Sequence, residues 1–183
     1  MTTTDGRVTR GVRNREAIID ALVECYEAGA LRPSVPEVAA RAGVSVRSVH
    51  NHFADVEALH AEVARRQVER YAPLIGPAAT IEEFVDQRAA VYEAITPVRR
   101  AALIAIRDSP AIAAGLARAE RGLRRHADLT FPGLSPEALD AVDMLSSWDT
   151  WDRLRTAQGC SVARTRVVVV DLIRKIVEGS GEL

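Results

Sequence analysis

Residues 34–53 read Ser34-Val35-Pro36-Glu37-Val38-Ala39-Ala40-Arg41-Ala42-Gly43-Val44-Ser45-Val46-Arg47-Ser48-Val49-His50-Asn51-His52-Phe53. Two helix starts and one stop lie within them. The Ser34 hydroxyl can accept from the backbone N–H of Glu37, and the Glu37 carboxylate can reach back, which makes a capping box. Pro36 is harmless in the first turn. The helix opened there, over 35–42, must stop at Gly43, where a residue without Cβ can take φ > 0 and Val44 can fold back. Ser45 then caps a second short helix over 46–53. Two short helices joined by Gly43-Val44-Ser45 form a helix-turn-helix.

Outward from this unit the punctuation stays helical. Upstream, a helix over about 14–28 carries Ile18, Leu22 and Cys25 at helical spacing, and Gly29 is a good stop. Downstream, Asp55 caps a helix with Val56, Leu59 and Val63 on one face. Thr80-Ile81-Glu82-Glu83 opens another to about Thr96, and Pro97 is expected to begin a short one ending near Arg107. Ser109-Pro110 starts a long helix to about Leu129, Ser135-Pro136-Glu137 one to about Ala157, and Ser161 the last, ending at Gly179. The β-branched run Val167–Val170 read alone suits a strand. It lies inside a capped segment with Val169, Leu172, Ile173 and Ile176 at helical spacing, so it is read as helix. The expected class is all-α, with about nine helices.

Composition agrees. Of the 183 residues, 48% are hydrophobic, enough to bury a core. The net charge of −1 excludes a polycationic nucleic-acid coat. Residues 7–15 nonetheless carry Arg7, Arg10, Arg13 and Arg15 with no acid among them. That run reads either as a basic arm for DNA or as a solvated tail. Cys25 and Cys160 show no metal-ligand spacing, and Cys25 suits a small core residue. No apolar run is long enough for a membrane span, and a reduced cytoplasmic setting is expected.

In a helix-turn-helix the second helix lays side chains in the major groove. Here it offers Arg47, Ser48, His50, Asn51 and His52. Arg47 and Asn51 are of the types that pair bidentately with guanine and adenine edges. Backbone N–H groups at Ser34 and Ser45, expected free at helix starts, suit phosphate oxygens, as do Arg10 and Arg13 on a flexible arm. On these residues alone, a helical hairpin whose polar face merely meets water is an equal alternative.

Arg15-Glu16-Ala17-Ile18-Ile19-Asp20-Ala21, then Val38 to Ser45, then His52-Phe53 and Glu57-Ala58-Leu59 resemble the N-terminal domain of the tetracycline-repressor (TetR) family. The resemblance implies a DNA-binding domain over 1–54. It implies a second domain over 55–183, made of a connecting helix plus helices that bind a small-molecule effector and dimerise through the last two. The implied function is a ligand-responsive transcriptional regulator, commonly a repressor, bound as a homodimer to a palindromic DNA operator. Two residues depart from the family: His50 stands for its usual Tyr and Val56 for its usual Lys, both phosphate-holding positions. Arg47 replaces a residue that is usually small.

The last two helices carry more apolar surface than one-sided burial needs, which suits a dimer interface or, alternatively, a pair of deeply buried monomer helices. Leu139, Val142, Leu145, Trp148, Trp151 and Leu154 recur every three residues, a step that drifts about 60° each time around a helix. The final helix is apolar over most of its circumference, and a helix apolar nearly all round is buried on two sides. For the effector site, Arg88 stands within the stripe Ile81, Phe84, Val85, Val91, Tyr92 and Ile95. It must snorkel, pair with a carboxylate such as Asp143, or face a cavity. Arg88, Tyr92, Trp148 and Trp151 are the candidate effector contacts, with core or interface roles as alternatives. His50, His52 and His60 together raise the question of a metal site, but the DNA face explains the first two better, and no metal or cofactor is expected. An all-α enzyme or a helical interaction module are the competing classes, the first without any nucleophile–base pair or phosphate loop to support it.

Overall fold

The structure, a computed structural model, describes residues 3–179, with side chains from residue 8 onward. Among the described residues there are nine α-helices and no strand. They are α1 (Thr3–Glu27), α2 (Val35–Ala42), α3 (Val46–His52), α4 (Val56–Tyr71), α5 (Ile81–Ala105), α6 (Pro110–Thr130), α7 (Pro136–Leu145), α8 (Trp148–Asp152) and α9 (Val162–Gly179). A 3₁₀ turn covers Ala72–Leu74, and a π-helical turn covers Arg153–Ala157. The all-α class and the helical reading of Val167–Val170 hold.

The helix count matches expectation because two differences cancel. Pro97 begins no new helix; α5 runs straight through it. Proline removes one backbone bond and costs roughly 3 kcal/mol inside a helix. Tyr92 before it, and Val98, Ala101 and Ala102 after it, are all buried. Their combined burial, at ~25 cal/mol per Å² of apolar surface, outweighs that local cost. Conversely, the helix expected over about 136–157 breaks at Ser146-Ser147. Ser146 turns its hydroxyl back onto the Val142 carbonyl at 2.6 Å. Ser147, extended at φ −70° and ψ 159°, caps α8 by accepting from Thr150 N–H. Serine hydroxyls compete with helical backbone bonding in this way. The break resets the helical phase, so Trp148 and Trp151 are buried instead of drifting around one long helix.

α1 also starts earlier than expected, at Thr3 instead of about residue 14. Gly11 lies within it and costs a helix only about 1 kcal/mol.

The chain divides into two compact units. The first runs to Val68 and includes Pro97–Leu116. Packing therefore draws a different line from the functional division expected after residue 54: most of α4, the end of α5 and the start of α6 belong with the head. Its core gathers Ile18, Leu22, Val38, Val49, Leu59 and Val63, with Val98 and Ala101. The second unit holds Glu69–Thr96 and the chain from Ala117 on. Its core is built on Phe84, Tyr92, Val142, Trp148, Trp151 and Ile173. Here α9 buries Val169, Val170 and Ile173, while Val167 and Leu172 stay 49% and 37% exposed. Met144 on α7 is 63% exposed. No described helix is long and apolar enough to cross a membrane.

Candidate nucleic-acid interface

Each device proposed for residues 34–53 is present. Ser34 Oγ accepts from Glu37 N–H, closing the capping box of α2. Gly43 ends α2 in the left-handed region at φ 66°, its N–H directed at the Ala39 and Ala40 carbonyls. Val44 N–H bonds Ala39 O at 3.0 Å, which turns the chain towards α3. Ser45 Oγ accepts from Ser48 N–H at 3.1 Å and starts α3. Phe53 N–H bonds Val49 O and ends it, with φ −138°.

Two buried side chains, Val49 and Phe53, hold this seven-residue helix to the head. At 100° per residue, Arg47 and Asn51 fall within about 20° of the point opposite Val49. Both are exposed, as is His50 to one side, while Ser48 and His52 are half-buried on the flanks. The structure thus brings the five expected reading residues onto one short helix, with two of them at its outermost line. Val56, half-buried at the start of α4, adds no donor there.

The expected phosphate donors fare unequally. Ser34 N–H and hydroxyl both donate to Glu37 Oε2, at 2.7 and 2.6 Å. The first bond is the reciprocal half of the capping box, so the N–H expected to be free is engaged, and an incoming phosphate would meet a carboxylate. These bonds hold the Glu37 carboxyl below the usual carboxylate range. Ser45 is exposed, and its hydroxyl is used as an acceptor. Arg10 and Arg13 are exposed, but they do not lie on a flexible arm: both sit within α1, about 60° apart around it. No proline interrupts residues 3–27, so the helix simply extends over the basic run.

His60 parts company with His50 and His52. It is buried in the head, its Nδ1 2.5 Å from the Tyr26 hydroxyl. Among the described residues, no three or more His, Cys, Asp or Glu side chains are grouped to hold a metal. A cleft of about 480 Å³ on the head is lined by Cys25, Ala30, Pro33, Glu37, Ala40 and Arg41, none of them an expected effector contact.

The four residues singled out for an effector do converge in the second unit. Arg88, 1% exposed, lies over the Phe84 ring at 4.5 Å from its centroid. Its Nη1 donates to Ser146 Oγ and O at 2.8 and 3.0 Å, its Nη2 to Leu123 O at 2.5 Å, and its Nε to His126 Nδ1 at 3.4 Å. Asp143 stands 3.6 Å away. Of the three outcomes left open for Arg88, pairing is the one observed, with neutral partners closer than the carboxylate. Tyr92 donates to the same Ser146 carbonyl at 2.8 Å. Trp148 Nε1 donates to Thr96 and Trp151 Nε1 to Glu93, so both indoles are satisfied core groups. Burial, then the charge of Arg88, pushes His126 down to about 4. Sequence reasoning missed Ser146 and His126. Ser146 was hidden inside an expected continuous helix, whereas His126 could have been found from its place on the apolar side of α6 beside Leu123 and Ala127.

Comparison with known proteins agrees with this geometry. Residues 18–63 match the family model of bacterial regulatory proteins, tetR family. A transcriptional regulator from Rhodococcus sp. Rha1 has a similar structure, with TM-score 0.71 at 20% identity, covering 94% of this chain and 98% of that one. A proposed TetR-family regulator from Mesorhizobium loti MAFF303099 gives TM-score 0.68 at 16% identity, over 93% and 98% of the two chains. A multidrug-binding protein complexed with imidazole gives 0.63 at 22% identity, over 87% and 94%. No curated protein sequence matches the chain. Residues 18–63, the helix-turn-helix included, thus match the tetR-family model, on a chain that shares the fold of solved transcriptional regulators.

Proposed function

We propose that this chain is a homodimeric, effector-responsive transcriptional regulator that represses from a palindromic DNA operator in the cytoplasm. The observation that carries this reading is the exposure of Arg47 and Asn51 on the line of α3 opposite its buried Val49. A guanidinium and a carboxamide held one turn apart can each grip a purine edge in the major groove. Ser48, His50 and His52 flank them as further donors. Ser45, Arg10 and Arg13 are assigned to the phosphates, and Ser34 is left out because Glu37 occupies its donors.

Dimerisation through α7–α9 is supported by the exposed Met144, Val167 and Leu172. Response to a small organic effector is supported by the multidrug-binding protein of similar fold. Arg88, Tyr92, Trp148 and Trp151 would line or border that site; since all four are already bonded to the chain, an effector there must exchange some of those bonds for its own. The effector acts through α4 by changing the spacing of the two heads, which must match roughly 34–36 Å between successive major grooves.

Selection of bound duplexes from a random pool tests the reading. The expected product is a two-fold symmetric sequence bound by one dimer. Enrichment of no sequence, or of single asymmetric half-sites only, would overturn it.

A further inference from the structure

We propose that Arg15 is a positioning residue for DNA reading, coupling α4 to the end of α3 through Glu62 on one side and the ring of Phe53 on the other. The inference rests on α3 being the reader. Arg15 Nη1 donates to Glu62 Oε1 at 2.9 Å, and its guanidinium carbon stands 5.0 Å from the Phe53 ring centroid. One side chain of α1 therefore touches both the helix that leaves the head and the residue that terminates the reading helix.

Three features make this more than a surface ion pair. Glu62 is only 12% exposed at its side chain and also accepts two bonds from Arg65, both at 2.8 Å, with Arg66 at 3.4 Å. Arg66 in turn grips Glu16 of α1. Those bonds, that of Arg65 foremost, hold the Glu62 carboxyl at about 2, so its charge persists across the working pH range. Secondly, Phe53 is one of the two buried side chains that anchor α3, and the position of its ring fixes the far end of a helix only two turns long. Thirdly, a guanidinium is planar and can lie on a ring while its edge grips a carboxylate; an ammonium cannot do both. Without Arg15, Glu62 keeps its bonds from Arg65 and Arg66, and the Arg15 side chain is itself 37% exposed, so this one pair adds little to fold stability. Base readout, by contrast, fails when a side chain moves by about an ångström. The relay should therefore matter far more to discrimination than to folding.

The test compares full-length wild type with Glu62→Gln, Arg15→Lys and Phe53→Leu. Affinity is measured for the selected duplex and for a scrambled one, and amide hydrogen exchange is followed in α2 and α3. Each variant should lower the ratio of the two affinities about three- to tenfold. The Arg15→Lys/Phe53→Leu double variant should be no worse than the weaker single one. Exchange should quicken in residues 46–52 and stay unchanged in 35–42. Glu62→Gln is the sharpest case, since loss of a negative charge by electrostatics alone would tighten binding to both duplexes and leave the ratio alone. That outcome, or an Arg15→Lys variant with the wild-type ratio, overturns the proposal, as does unchanged exchange in α3. Arg15→Lys and Glu62→Gln change side chains at the edge of the core, so they keep the test open should Phe53→Leu fail to fold. Quickened α3 exchange in a protein with no preference for any duplex would reject α3 as a reader while leaving the coupling between the helices in place.

Discussion

The Tyr26 hydroxyl lies 2.5 Å from Nδ1 of His60, joining α1 to α4 inside the head. His60 is 4% exposed, and its other ring nitrogen is buried without a partner. Burial lowers the pKa of His60 below 6.5, which keeps the ring neutral at pH 7. Removing the hydroxyl with Tyr26→Phe leaves Nδ1 unpaired as well and should cost about 1–3 kcal/mol in urea denaturation at pH 7. A variant as stable as wild type would show the bond to be idle.

The same burial makes stability depend on pH, with a definite sign. In the unfolded chain a histidine takes up its proton near 6.5, while in the fold it resists doing so. The stability contribution is therefore whole above about pH 6.5 and is lost as pH falls towards the folded value. For His126 that window runs from 6.5 down to about 4. Each group should remove up to ~1.4 kcal/mol per pH unit within its window. Urea midpoints at pH 7.5 and 5 check this, and a flat profile counts against it.

Arg47→Ala should cost about 1–3 kcal/mol on the selected operator and relax base preference at one position per half-site. Binding isotherms against selected and scrambled duplexes read both effects. An unchanged affinity ratio would remove Arg47 from the reading face.

Arg10→Ala and Arg13→Ala should behave differently, weakening all DNA alike. Each lost phosphate contact should flatten the slope of log K against log salt by about one unit. A slope unchanged in both variants would assign this end of α1 to solvent.

Leu172→Glu combined with Val167→Glu places charge at two exposed positions of α9, so the fold should persist while the dimer does not. Sedimentation at micromolar concentration should then give monomers with wild-type helicity. A double variant that remains dimeric would locate the interface elsewhere.

Effector and operator should weaken each other by the same factor, because a coupling free energy is reciprocal. Titrations of a bound effector with and without operator measure it, and equal affinities would exclude coupling.

The helix-turn-helix was legible because its devices are local. Ser34 and Glu37, or Ser45 and Ser48, meet within three residues, and Gly43 needs no partner to take φ 66°. The reading fails at Ser34, whose N–H is expected to be free although the capping box itself assigns it to the Glu37 carboxylate. It fails again over Arg10 and Arg13, where a basic run suggests an arm although nothing in it stops a helix.

Most of the caps, the turn and the apolar side of each helix rest on interactions between residues no more than a turn or so apart and are legible in the chain alone; the Ser147 cap of α8 is equally local, yet the sequence reading misses it. Only the tertiary structure decided that α5 passes through Pro97, where burial on both sides exceeds one lost bond. Only it decided that Arg88 meets Leu123, His126 and Ser146, which lie 35, 38 and 58 residues away. Nothing in the chain near Arg88 specifies those partners. They are set by which helix faces pack together once apolar surface leaves water, and a buried guanidinium then takes whatever acceptors that packing brings within reach.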